Sequence, residues 1–235
     1  MGMVEERFSD IEERLKEYAD ESYRDFHSKI VPSSRIIHGV RMPTLRNMAK
    51  GISKGDWRGF LNERTYSHEG CMIRAIIVAT ANMSIDERIE LSKMYIPEID
   101  NWALCDIFCG DWKVKKNERD KLWNLCMNLI ETKKEFEMRI SVVMMLGHFL
   151  DDEYIDRVLE ILEKYHHDGY YYKMGAAWTL SFCFIKYPER TEPVLFSEKL
   201  DNDIRNKAVQ KISDSYRVEK SEKERLKAKK AAMRS

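Results

Sequence analysis

In the segment Asn101-Trp-Ala-Leu-Cys-Asp-Ile-Phe-Cys-Gly-Asp, Trp102 and Asp106 stand four residues apart and therefore share one face of a helix. A tryptophan face and a carboxylate both favour positive charge placed beside them. Asp106 is flanked by Leu104, Cys105, Ile107 and Phe108, and an acid in such a run is paired, hydrogen-bonded or placed for use. One structural alternative is an ion pair with an arginine of the next helix, Arg139. Trp102, Arg139 and Trp178 are separated by 37 and 39 residues, and Trp178 follows the small residues Gly175-Ala-Ala. Residues that recur once per repeat lie in a row, so the spacing places two aromatics, a cation and a carboxylate along one stretch of a repeating fold.

The elements that must position them are helical almost throughout. Apolar residues at 85, 89, 91, 94 and 96 form a stripe of helical spacing. Ser84 with Glu87 has the form of a capping box, as do Ser9 with Glu12, Thr132 with Glu135 and Ser221 with Glu224. Pro43 suits a first helical turn. Breakers divide the chain into a dozen or more short helices, and no alternating strand pattern of useful length interrupts them. Met72-Ile-Arg-Ala, Glu137-Met-Arg-Ile and Asp203-Ile-Arg-Asn share one form, and Lys173-Met-Gly-Ala resembles it with glycine for arginine. The expected fold is all-α: an α-α superhelix of six to seven antiparallel helix pairs with a concave groove, in one domain spanning 1–235.

Composition closes other classes. With 43% apolar and 34% charged residues the chain has both a core and a solvated surface, and no apolar stretch approaches the ~20 residues of a membrane span. The acidic, amphipathic N-terminus is unlike a signal peptide, which makes the cytoplasm the expected location. Five cysteines in apolar helical stretches read as buried thiols; Cys105 and Cys109 share a face but lack a second metal-ligand pair. No phosphate loop, HExxH or GxSxG is present, and adjacent His166 and His167 belong to a turn. Net charge is +0, yet residues 217–235 hold eight basic against three acidic residues, a basic C-terminal helix that is either simply solvated or part of a polarised surface.

The segments Gly39-Val-Arg-Met-Pro-Thr-Leu-Arg-Asn-Met-Ala-Lys, Ser84-Ile-Asp-Glu-Arg, Asn101 to Asp106, Phe136-Glu-Met-Arg-Ile and Lys173 to Glu189 occur in an order and spacing that resemble the bacterial AlkD family of alkylpurine DNA glycosylases, built from HEAT-like repeats. The resemblance implies excision of N3- and N7-alkylated purines from double-stranded DNA, without flipping of the damaged base. It implies Asp106 as the catalytic carboxylate, Trp102 and Trp178 as aromatics on the lesion-bearing deoxyribose and backbone, and Arg139 as a phosphate contact. Tyr23 matches a further aromatic near the site through a looser alignment. The implied reaction calls for no metal and no redox cofactor, and a monomer is expected. One departure stands out: Ser181-Phe-Cys-Phe, the turn after Trp178, has no basic residue, where some members of the family carry one. Two other readings remain open, a noncatalytic helical-repeat module binding DNA or protein through the same face, and a small-molecule enzyme with an apolar pocket.

Overall fold

The computed structural model describes residues 8–63 and 65–233, which contain fourteen α-helices and no strand. The all-α expectation holds. None of the described helices is long and apolar enough to cross a membrane. Packing divides the chain into two compact units, Met1–Glu118 and Arg119–Ser235.

The first unit contains α1 (Phe8–Glu17), α2 (Glu21–Ile30), α3 (Met42–Ile52), α4 (Trp57–Asn62), α5 (His68–Thr80), α6 (Ile85–Tyr95) and α7 (Trp102–Gly110). Helix α5 is buried from His68 to Ala79, and it packs against both α3 and α7. A helix buried on every side sits in the middle of its unit, and its polar residues then need partners. Its first turn organises the preceding loop. The Glu69 carboxylate, fully buried, accepts the backbone N–H groups of His38 (3.0 Å), Gly39 (2.7 Å) and Val40 (3.2 Å). Glu12 of α1 accepts from Ser67 Oγ at 2.6 Å and meets His38 Nε2 at 3.0 Å. Orphan backbone donors and a buried acid thereby satisfy one another.

The second unit contains α8 (Arg119–Ile130), α9 (Glu135–His148), α10 (Ile155–Lys164), α11 (Tyr170–Lys186), α12 (Pro188–Leu195), α13 (Asn202–Asp214) and α14 (Lys220–Ala232). Helices α9, α11 and α13 pack side by side, with α8 against α9 and α10 against both α11 and α12. This is the alternation of two layers expected of stacked helix pairs. Buried hydroxyls tie neighbouring helices together: Thr179 donates to Val142 O and Ser141 to Cys126 O, both at 2.8 Å. Helix α14 docks through Leu226, and its Arg225 and Lys229 engage Glu192 of α12, whose carboxyl these cations hold down at about 2. The basic terminal helix is thus partly neutralised within its own unit; its last residues, 234 and 235, lie outside the described residues.

The recurring arginine has a structural explanation. Arg74, Arg139 and Arg205 are all buried, and each donates to main-chain carbonyls: Arg74 to Leu61 O, Arg139 to Tyr171 O, and Arg205 to Leu195 O and Leu200 O. Where α11 has Gly175 instead, an added Cβ would lie 3.1 Å from Arg139 Cγ, so glycine makes room for the arginine of the neighbouring helix.

Helix starts were legible in part. Ser84 caps α6 by accepting from Glu87 N, and Pro43 stands in the first turn of α3. The Thr132 box does not form. Lys134 is the residue that precedes α9; Thr132 Oγ1 donates back to Leu129 O, and Glu135 accepts from Tyr171 N at 2.6 Å instead. Ser221 lies inside α14, which begins at Lys220 after Glu219. Ser9 falls within α1, and its side chain lies outside the described residues. At Thr132 and Glu135, a carbonyl of the preceding turn and a tertiary donor overrode the local signature.

Candidate functional site

Helix α7 starts from Asn101, fully buried, whose Oδ1 accepts from Leu104 N at 3.1 Å and whose Nδ2 donates to Asp100 Oδ1 at 2.8 Å. This cap fixes the first turn and therefore the direction of Trp102. The Trp102 indole N–H donates to Ile30 O, the last residue of α2, at 2.9 Å. Its edge is held and its ring lines a cleft of about 310 Å³. Asp106, one turn later, is half-buried on the same wall.

The opposite side comes from α2 and α3. Asp20 caps α2 by accepting from Tyr23 N at 3.0 Å; it also accepts from Ser22 Oγ at 2.7 Å and from Arg41 Nη2 at 2.8 Å. Those hydrogen bonds, that of Ser22 first, hold its carboxyl far below the usual range. The Arg41 guanidinium lies 4.8 Å from the centre of the Tyr23 ring. Tyr23 stacks on His27 at 5.2 Å, and His27 meets the edge of His68 at 5.4 Å. Burial lowers the pKa of both histidines, that of His68 to about 4, so the column behind the cleft is neutral at pH 7. Arg46 and Asp111 also line the cleft and pair at 2.5 Å.

The histidine column makes stability pH-dependent. A base whose pKa is lower folded than unfolded leaves the unfolded chain binding more protons, so stability is complete above about pH 6.5 and declines as pH falls toward 4. From this group the loss between pH 7.5 and pH 5 is expected to be roughly 2 kcal/mol. Urea denaturation at the two pH values measures it. His68→Phe should flatten the dependence by that amount; an unchanged slope would refute the assignment.

Thus Tyr23, Trp102 and Asp106 are brought together within the first unit. The other two expected residues lie in the second. Trp178 is half-buried on α11, edge-on to Phe182 at 6.3 Å. Arg139 is 5% exposed, packed across Gly175, with Nη1 donating to Tyr171 O at 2.7 Å. Residue-level reasoning missed His27 and Arg46, which line the cleft. Arg46 lies inside the Gly39–Lys50 segment that carried the resemblance, whereas no signal in sequence distinguishes His27 from a surface histidine. All five cysteines are buried, and burial pushes the thiols of Cys71, Cys126 and Cys183 upward.

A family model described as DNA alkylation repair enzyme matches residues 11–200. No curated protein matches the chain.

Proposed function

We propose that this chain, which belongs to the DNA alkylation repair enzyme family, is a glycosylase that hydrolyses the N-glycosidic bond of cationic N3- or N7-alkylated purines in duplex DNA. The observation that carries this reading is the position of Asp106: a half-buried carboxylate lining a cleft, one helical turn from the Trp102 indole, with Tyr23 and His27 lining the same cleft.

Alkylation at N3 or N7 makes the purine a cation and a good leaving group. As the bond to C1′ breaks, the sugar takes on oxocarbenium character. A carboxylate about 4 Å from that charge contributes about 4 kcal/mol at an effective dielectric near 20. An aromatic face adds about 0.5–2 kcal/mol. Asp106 also orients the water that attacks C1′, and accepts its proton in the balance of the hydrolysis. Neutral His27 and His68 matter here, because an imidazolium at the same place would oppose the developing cation. The groups act on the sugar, so the reading needs no pocket that swallows the base, and neither metal nor redox cofactor takes part.

Trp178 is assigned to the deoxyribose and backbone beside the lesion. Arg139 is assigned to a DNA phosphate contact, and its Nη1 also donates to Tyr171 O. A single functional domain and a monomeric state belong to the same proposal.

The test is release of 7-methylguanine or 3-methyladenine from methylated duplex DNA by purified protein, resolved by chromatography. Time-dependent release proportional to enzyme is expected. Binding of the same DNA without release would favour a noncatalytic DNA-binding module.

A further inference from the structure

We propose that Lys211 and Arg217 form a phosphate-binding site beside Trp178, so that one backbone phosphate is held next to the nucleotide resting on that indole. This rests on the reading of the substrate as DNA. A second cleft, of about 340 Å³, lies wholly within the second unit and is lined by Trp178, Ser181, Phe182, Lys211, Asp214 and Arg217. Aromatic rings beside cations are the combination by which proteins hold a nucleotide, base or sugar on the ring and phosphate on the charge.

The cations arrive from outside the helix that carries the aromatics. Between Trp178 and Lys186, α11 has no basic residue. Lys186 is directed elsewhere, its Nζ donating to Leu150 O at 2.6 Å. Ser181, with its hydroxyl bonded back to Trp178 O at 2.7 Å, leaves space instead of charge. Lys211 from α13 and Arg217 from the turn after it border that space, and the Arg217 guanidinium lies 5.7 Å from the Phe182 ring centre. That contact holds a planar donor fork, suited to phosphate, at the cleft. Asp214 is the opposing charge, and two cations against one carboxylate leave the cleft wall net positive.

Sequence reasoning could not find this site. Lys211 and Arg217 follow Trp178 by 33 and 39 residues, and neither belongs to the Ser181-Phe-Cys-Phe turn after the tryptophan.

The experiment measures binding of a fluorescein-labelled duplex containing a tetrahydrofuran abasic analogue, by anisotropy, from 50 to 200 mM salt. Lys211→Gln/Arg217→Gln should weaken binding about tenfold at 100 mM salt and make the log–log salt slope shallower by about 0.9, one phosphate's share. Lys164→Gln, which removes one charge from α10, should keep the wild-type slope. If wild type binds and the double variant retains wild-type affinity and slope, the phosphate site is overturned while the glycosylase reading stands on base release. If wild type neither binds the duplex nor releases base, both fall.

Discussion

Asp106→Asn is expected to abolish base release while DNA binding persists. Asparagine keeps the size and most of the hydrogen-bonding shape of aspartate, so the cleft between α2 and α7 should be unaltered and only the charge lost. The electrostatic contribution of about 4 kcal/mol corresponds to roughly a thousandfold in rate. Single-turnover release of 7-methylguanine should therefore fall by about 10²–10³-fold. Affinity for an abasic-analogue duplex should stay within about twofold, since a carboxylate near phosphates contributes nothing to holding a polyanion. Equal rates for the two proteins would remove Asp106 from the mechanism. A parallel collapse of binding would assign it to the architecture of the cleft.

Gly39→Ala should be the most damaging single methyl in the first unit. Gly39 has φ +88°, a conformation that costs an L-residue about 1–2 kcal/mol. An added Cβ would lie 2.5 Å from Asp20 O, 2.6 Å from Arg24 Cβ and 2.8 Å from Arg24 N. Two of these neighbours are backbone atoms of the cap and first turn of α2, so relief requires moving the start of the helix. That helix presents Tyr23 and His27 to the cleft, and its Ile30 carbonyl holds the Trp102 indole. A loss of about 2–3 kcal/mol or more in stability is expected, with weaker base release in whatever remains folded. Gly51→Ala is the control, because no atom lies within 4 Å of its added Cβ and alanine favours the helix. Urea denaturation compares the two; a Gly39→Ala protein as stable as Gly51→Ala would contradict the packing described.

Gly39 also shows why a motif is more than a label. It begins the segment on which the family resemblance was read, and its conformation is the reason glycine stands there. Glu69 supplies the other half by holding the amides of residues 38–40 with a buried carboxylate. The result is a rigid crossing of the loop over the start of α2.

What the sequence determined by itself was local. Periodic apolar residues, the Ser84 cap and Pro43 specify helices because their interactions run between residues three or four apart. For the same reason the spacing of Trp102 and Asp106 alone puts them on one face. What only tertiary structure decided was which distant groups meet. Tyr23 reaches the cleft of Trp102 across 79 residues of chain, and Lys211 and Arg217 reach Trp178 across more than 30. The repeated arginine illustrates the division. Its recurrence was legible, but its burial against main-chain carbonyls was not, because a guanidinium selects partners from whatever packing places within reach. Thr132 and Glu135 had the spacing of a cap, yet Glu135 bonds Tyr171 N, a donor 36 residues away. Short-range spacing encodes the helices and their faces; the cleft exists only where loops such as 38–40 bring those faces together.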